Sequence, residues 1–264
     1  SRLRGPEASS ATKTALILAA TARGETTLRH PVDTVATREL LDFLRACGVG
    51  VTEDEDAWRI RGGPGGHQVD HHLVSDSSEI VTFVTCAVAA PASLRLTGIT
   101  GERAWHAVRD ELRVLAGSGV PLRSGEDWLE VTSPDRLEPL SLEIDCNGFS
   151  TDAHPLLALA LLRANGPSTI TDHVWTSRFA YADLLTAMGA RIRVQGNTIH
   201  VEPGVLHAPR APLRPTDSRA AAVAVLAGLG VHGTTRIEDA GHLDRSYERL
   251  IDKLRNVGAD IEES

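Results

Sequence analysis

The sequence predicts an α/β fold assembled from four repeats, each of the form βαβαβ(β). Two observations carry this expectation. Four glycines that follow helical runs, Gly48, Gly119, Gly189 and Gly258, are separated by 71, 70 and 69 residues. The pattern around them also repeats. Each unit has an Ala/Leu-rich helical run, a small-residue stop, a short β-branched strand, a second helix ending near the glycine, and a further strand or strand pair. Glycine suits the position past a helix end because, without a Cβ, it takes left-handed backbone angles without a clash.

In the first unit the helical run is Ala15-Leu16-Ile17-Leu18-Ala19-Ala20, stopped at Gly24 and followed by the strand Thr26-Thr27-Leu28-Arg29. A second helix over about 35–46 stops at Gly48, before Val49-Gly50-Val51 and Trp58-Arg59-Ile60. The third unit runs from Leu156 to Arg163, Gly166, Ser168-Thr169-Ile170-Thr171, a helix to Met188, Gly189 and Arg191-Ile192-Arg193-Val194. Helices with one apolar side must bury it under sheets, so several units have to share a core. Gly62-Gly63-Pro64-Gly65-Gly66-His67 reads as a linker. It divides a single unit, 1–64, from three units, 65–264. His67, His71 and His72 lie near it with no carboxylate or cysteine to complete a site, so no metal is expected.

The chain has 264 residues, a net charge of −8, 42% hydrophobic and 23% charged residues. That balance fits a globular protein with ample core residues and excludes a disordered chain. No run of 18 apolar residues suggests a membrane span, and Ser1-Arg2-Leu3-Arg4-Gly5-Pro6 has no apolar signal core. An acidic balance argues against a nucleic-acid partner. Cys47, Cys86 and Cys146 cannot all pair and form no CxxC motif, which favours a reducing cytoplasm. Cys47 and Cys86 read as buried structural thiols. Lys13 and Lys253 are the only lysines, so positive charge is nearly all arginine, a planar donor fork suited to carboxylate and phosphate.

Polar clusters open helices in the last two units. Gly148-Phe149-Ser150-Thr151-Asp152 precedes an apolar helix from Pro155, where Thr151 or Asp152 can cap it. A carboxylate there can instead take a proton from a substrate hydroxyl. Trp175-Thr176-Ser177-Arg178-Phe179, Pro215-Thr216-Asp217-Ser218-Arg219 and His242-Leu243-Asp244-Arg245-Ser246-Tyr247 each set a capping Ser or Asp before an arginine in a first helical turn. Either these arginines form solvent-exposed ion pairs, or they converge on an anionic ligand.

At these residues the chain resembles the enolpyruvyl transferase superfamily, in its UDP-N-acetylglucosamine 1-carboxyvinyltransferase branch. The similarity runs through Gly148–Asp152, Ser177-Arg178-Phe179, Thr216-Asp217-Ser218-Arg219-Ala220 and His242–Arg249, and on through Asp252–Glu262. Asp76, Glu79, Thr82 and Phe83 extend it into the second unit. The resemblance implies three units around a pseudo-threefold axis, with no metal or organic cofactor. It implies transfer of enolpyruvate from phosphoenolpyruvate to a hydroxyl of a nucleotide sugar. By the same resemblance Asp152 is the base or proton shuttle, and Asp217 assists at the reacting carbon. Arg178, Arg219 and Arg245 hold phosphoenolpyruvate oxygens, and Thr151 and His242 line the substrate.

Residues 1–64 are most similar to the last unit of the family's front domain, through Ala8-Ser9-Ser10-Ala11-Thr12 and Gly24-Glu25-Thr26, which places Ser9 and Ser10 at the nucleotide. In a second alignment Ser9 stands where the family has a catalytic lysine, with Lys13 as a displaced substitute. Two front-domain units, with their Lys-Asn pair, acidic loop and further arginine, find no match. Ser1–Pro6 resembles a strand that the family lends to its last unit. Ser218 and Trp175-Thr176-Ser177 depart from the usual substrate surroundings, which makes a nucleoside-pathway paralogue a second candidate beside cell-wall synthesis. The competing expectation is a catalytically incomplete paralogue, or half of a split enzyme, that binds anions or a partner chain supplying the front domain.

Overall fold

The computed structural model describes residues 8–63, 68–145 and 148–263. The four spaced glycines do the same job in each unit. Gly48, Gly119, Gly189 and Gly258 have φ of 89°, 94°, 96° and 98°. The amide that follows each of them reaches back to a leucine carbonyl of the helix. These bonds are Val49 to Leu44 at 3.0 Å, Val120 to Leu115 at 3.0 Å, Ala190 to Leu185 at 2.9 Å and Ala259 to Leu254 at 3.0 Å. This is the Schellman stop, which ends the helix while satisfying orphan carbonyls and, in the first three units, turns the chain into a strand.

Two compact units divide at Val74 and Ser75. The first holds α1 (Ala8–Thr21), β1 (Gly24–Arg29), α2 (Val35–Ala46), β2 (Gly50–Asp54) and β3 (Ala57–Gly62). Its antiparallel sheet runs β1-β3-β2, with Leu16, Leu41, Trp58 and Ile60 in its core. Of the linker, residues 64–67 lie outside the described residues. His71, considered above as a metal ligand, instead pairs its Nε2 with Glu39 Oε1 at 2.9 Å and meets the edge of Phe43. That anchoring puts residues 68–74 with the first unit, ten residues past the division expected from the glycine run.

The second unit begins with α3 (Ser77–Ala89), β4 (Ser93–Thr97), α4 (Glu102–Gly117), β5 (Leu122–Ser124) and β6 (Trp128–Thr132). Next come β7 (Ser141–Ile144), α5 (His154–Leu161), β8 (Ser168–Asp172), α6 (Ala180–Ala187), β9 (Arg191–Gln195) and β10 (Thr198–Glu202). It ends with α7 (Ser218–Leu229), a 3-10 turn (Ala240–Arg245) and α8 (Leu250–Asn256). The sheets run β4-β6-β5 and β7-β8-β10-β9, the latter with β7 parallel to β8 and the other pairs antiparallel. The helices sort by burial. α4 buries one stripe, Ala104, Val108, Glu111 and Leu115, the spacing of an outer helix. α3, α5 and α7 are buried all round, and each packs on the other two. Three apolar helices around one axis form the core expected of three shared repeats.

The last repeat departs from the expected pattern. Among the described residues it holds no paired strand, only a parallel bridge between Leu213 and Ile237. The lending strand expected from Ser1–Pro6 falls outside the described residues. Cys86 is buried on α3, and burial pushes its thiol up to about 11, as a structural cysteine should be. Cys47 ends α2 and is only half-buried, because a helix C-cap faces the surface. Cys146 lies outside the described residues.

Candidate active site

The N-termini of the three inner helices carry the polar cluster expected of the sequence. Their dipoles make that end partly positive, and the residues gathered there set the local charge. Asp152 sits just before α5. Its Oδ1 accepts from Arg178 Nη1, and its Oδ2 accepts from Arg219 Nη2 at 2.9 Å. Arg219 also donates through Nη1 to the Tyr247 hydroxyl at 3.2 Å and through Nη2 to Ser78 Oγ at 3.4 Å. Tyr247 is tied to buried Thr82 at 3.0 Å. One guanidinium therefore joins α3, the loop before α5, α7 and the segment after the 3-10 turn.

Arg178 lies over the Trp175 ring, 4.8 Å from its centroid, which orients the fork toward Asp152. The arginine side chains are 17% and 14% exposed, while Asp152 is 41% exposed. The carboxylate thus stays open to solvent with its cations behind it. Burial alone would raise its pKa, but Arg219 and Arg178 outweigh that and hold the carboxyl below the usual aspartate range. Two guanidinium charges thus face the Asp152 carboxylate, beside the Asp217 and Asp76 carboxylates that cap the N-termini of α7 and α3. At the opposite end of the inner helices a cavity opens between Ala89, Leu162, Arg163 and Gly230. Arg163 donates there to the carbonyls of Val88, Pro134 and Asp135 and to Ser133 Oγ, which suits helix C-termini.

The loop that presents Asp152 is held from two sides. Glu111 on α4 accepts from the Ser150 amide at 2.8 Å, and the Asp152 amide donates to Ser150 Oγ at 3.1 Å. Glu111 is buried, and burial raises its pKa. On the other side the Thr151 hydroxyl donates to Asp172 Oδ2 at 2.5 Å. Lys253 bridges the last repeat to the start of α3, with its Nζ 2.5 Å from Glu79 Oε1.

Several expectations are corrected. Neither Thr151 nor Asp152 caps α5: its N-cap is Ala153, with no side-chain cap bond. Both side chains are already engaged, Thr151 with Asp172 and Asp152 with the arginines. Of the three arginines, only Arg219 lies in a first helical turn. Arg178 precedes the N-cap Phe179, and Arg245 ends a separate 3-10 turn that left-handed Arg249 divides from α8. Arg245 is exposed and makes no ion pair among the described residues. Asp217 does cap α7, accepting from the amides of Arg219 at 2.9 Å and Ala220 at 2.8 Å. It thereby fixes the backbone that carries Arg219.

His242 is half-buried in the 3-10 turn, and Ser218 meets Ser246 at 2.9 Å. Ser10 is exposed on α1 in the first unit, as part of the helix that also carries Ser9; the Ser9 side chain is outside the described residues. Sequence reasoning gave no role to Tyr247, Ser78, Asp172, His154 or Tyr181. Tyr247 was visible as the residue two past Arg245, but its bond to Arg219 depends on the fold.

Residues 2–254 match the family model described as EPSP synthase (3-phosphoshikimate 1-carboxyvinyltransferase), and the chain belongs to that enolpyruvyl transferase family. Within it the chain is 33% identical over 258 residues to UDP-N-acetylglucosamine 1-carboxyvinyltransferase from Prosthecochloris aestuarii, covering 96% of this chain and 59% of that protein. The namesake from Anaeromyxobacter sp. is also 33% identical, covering 95% and 58%. The crystal structure of the enolpyruvyl transferase NikO from Streptomyces tendae superposes with a TM-score of 0.88 at 37% identity, covering 98% of this chain and 61% of that one. The chain spans about three-fifths of the length of these relatives. No helix among the described residues is long and apolar enough to cross a membrane.

Proposed function

We propose that the chain forms the anion-binding and proton-accepting side of an enolpyruvyl transferase that acts on phosphoenolpyruvate and a uridine nucleotide sugar or related nucleotide. The observation that carries this is Asp152 held between Arg178 and Arg219 at the shared N-termini of α3, α5 and α7. Phosphoenolpyruvate displaces part of the arginine pairing. As the guanidiniums turn to the phosphate and carboxylate oxygens, Asp152 loses the charges that keep it acidic and becomes a stronger base. The acceptor hydroxyl gives its proton to Asp152, and its oxygen bonds to C2 of phosphoenolpyruvate as the C2–C3 π bond opens and C3 takes a proton from an acid outside this chain. C3 then returns a proton to that group, the C2–C3 double bond re-forms as the C2–O bond to phosphate breaks, and phosphate leaves on the arginines with the proton held by Asp152. Arg245, exposed and without an ion pair among the described residues, adds a third guanidinium, and Asp217 keeps the α7 N-terminus in place.

Residues outside this chain complete the cleft. α1 supports that reading: Ile17 and Leu18, on a helix apolar on most sides, are 51% and 64% exposed. The half-exposed free thiol of Cys47 fits a reducing cytoplasm. Calorimetry with phosphoenolpyruvate tests the anion site on the chain alone. Phosphate release is then measured with UDP-N-acetylglucosamine and with sugar-free uridine nucleotides, with and without a separately expressed front domain. Binding by the chain and turnover only with the added domain are expected. Absence of binding would overturn the reading.

A further inference from the structure

Behind the Asp152 cluster a second carboxylate, Asp172, is fully buried at the end of β8. Its four bonding positions are filled. Oδ1 accepts from the amides of Val174 and Trp175, each at 2.8 Å. Oδ2 accepts from the Thr151 hydroxyl at 2.5 Å and faces His154 Nδ1 at 3.2 Å. An ionised carboxylate only accepts, so Nδ1 of His154 carries a hydrogen and donates to it. On the other side of the ring, Nε2 meets the Tyr181 hydroxyl at 2.7 Å. His154 and Tyr181 are buried, and the imidazole also meets the edges of Phe179 and Tyr181.

Two of these bonds lead straight to the site. Thr151 is the residue before Asp152. Trp175 is the residue whose ring supports Arg178. The segments 148–153 and 173–179 contain no strand and no α-helix, so nothing regular fixes them relative to each other. Asp172 is bonded to both. We propose that Asp172 is a positioning residue that sets the Asp152 loop against the Arg178 turn, braced by the buried His154–Tyr181 pair. This rests on the reading of the Asp152 pocket as the site of enolpyruvyl transfer.

Two readouts on the full chain separate this role from plain packing. The first is the titration midpoint of the Asp152 carboxyl, followed by carbon-13 NMR without ligand. The charged groups around it are Arg178 and Arg219 in contact, Glu111 behind Ser150 and Asp172 behind Thr151. The second is phosphoenolpyruvate affinity by calorimetry. Thr151→Val keeps the side-chain shape and removes the hydroxyl, whereas Thr151→Ser keeps the hydroxyl and removes the methyl. If Asp172 positions the loop, Thr151→Val moves the Asp152 midpoint up toward ~3.9. It also weakens phosphoenolpyruvate roughly tenfold, the worth of one charge-assisted hydrogen bond. Thr151→Ser retains both values.

Asp172→Asn gives an independent sign. Removing a nearby negative charge through space lowers the Asp152 midpoint, while loosening the Arg178 pairing raises it, and a rise is expected. The midpoint staying in place in Thr151→Val, or Thr151→Ser behaving like Thr151→Val, overturns the proposal. Should Asp172→Asn not fold, the Thr151 pair still decides. Variants that show these midpoint shifts, in a chain whose wild type binds no phosphoenolpyruvate, would leave the positioning role standing and remove the transferase reading instead.

Discussion

Arg219 donates to Asp152 Oδ2 at 2.9 Å, so the cation suited to the substrate anion already holds the carboxylate suited to the substrate proton. The site contains its own competitor. Asp152→Asn removes the negative charge but keeps the shape. Phosphoenolpyruvate should then bind the chain several-fold more tightly, because the guanidiniums no longer have a carboxylate to leave. In the assembled enzyme the same variant should lose turnover by about a hundredfold or more, the usual worth of a general base. Calorimetry and phosphate release read the two effects separately. Weaker phosphoenolpyruvate binding in Asp152→Asn would show that the carboxylate does not compete for the arginines.

Arg245 and Arg219 should divide affinity from stability. Arg245 is exposed at the end of the 3-10 turn, so Arg245→Ala should leave unfolding within about 0.5 kcal/mol of wild type. It should still weaken phosphoenolpyruvate if the third guanidinium faces the anion. Arg219→Ala should lower both, since it leaves Tyr247 and Asp152 without their shared donor. Denaturant titration beside calorimetry checks the pair. An unchanged phosphoenolpyruvate affinity in Arg245→Ala would return that residue to the ordinary surface.

The buried carboxylates give stability opposite pH dependences. Burial pushes Asp172 up, but the bonds from His154, Thr151 and the Trp175 and Val174 amides outweigh it and bring its pKa down to about 2. A folded value below the unfolded one adds stability that is full above ~4 and is lost as pH falls toward 2. That contribution is about 2 kcal/mol. Glu111 runs the other way. Its pKa is raised by burial, so its contribution is present below the ordinary glutamate value and is lost as pH rises through the raised one. Denaturant unfolding at stepped pH should show a flatter acid limb in Asp172→Asn. Glu111→Gln, which can still accept from the Ser150 amide, should gain on wild type as pH rises above ~4.3. Parallel profiles for wild type and Asp172→Asn below pH 4 would refute the first assignment.

The four-repeat spacing was legible because each Schellman stop demands a left-handed residue, and glycine answers that locally. Asp152, Arg178 and Arg219 were legible as types at loop ends, and the structure brings those three together. What sequence could not show depends on distance along the chain. Thr151 and Asp172 are 21 residues apart, and Arg219 and Ser78 are 141 apart, with no spacing rule to join them. The capping of α5 misled for a related reason. Thr151 and Asp152 have the chemistry of caps, but tertiary partners took both side chains first. That the described residues of the last repeat pair into no sheet has no local signal, since its β-branched residues read as strand wherever they lie.

Two glycines two residues apart test the helix-stop argument with opposite signs. Gly119 has φ of 94°, and a methyl group placed on its Cα would find nothing within 4 Å, so Gly119→Ala meets backbone strain and no steric neighbour. It should cost about 1 kcal/mol. Gly117 is the last residue of α4, exposed, also with nothing within 4 Å, and without a positive φ. Gly117→Ala should therefore stabilise by about 0.5 kcal/mol, because alanine loses less backbone freedom on entering a helix. Denaturant unfolding of the two variants checks both signs at once. Equal effects would mean that the left-handed turn between α4 and β5 relaxes freely, and that the Val120 to Leu115 bond does not fix where the helix ends.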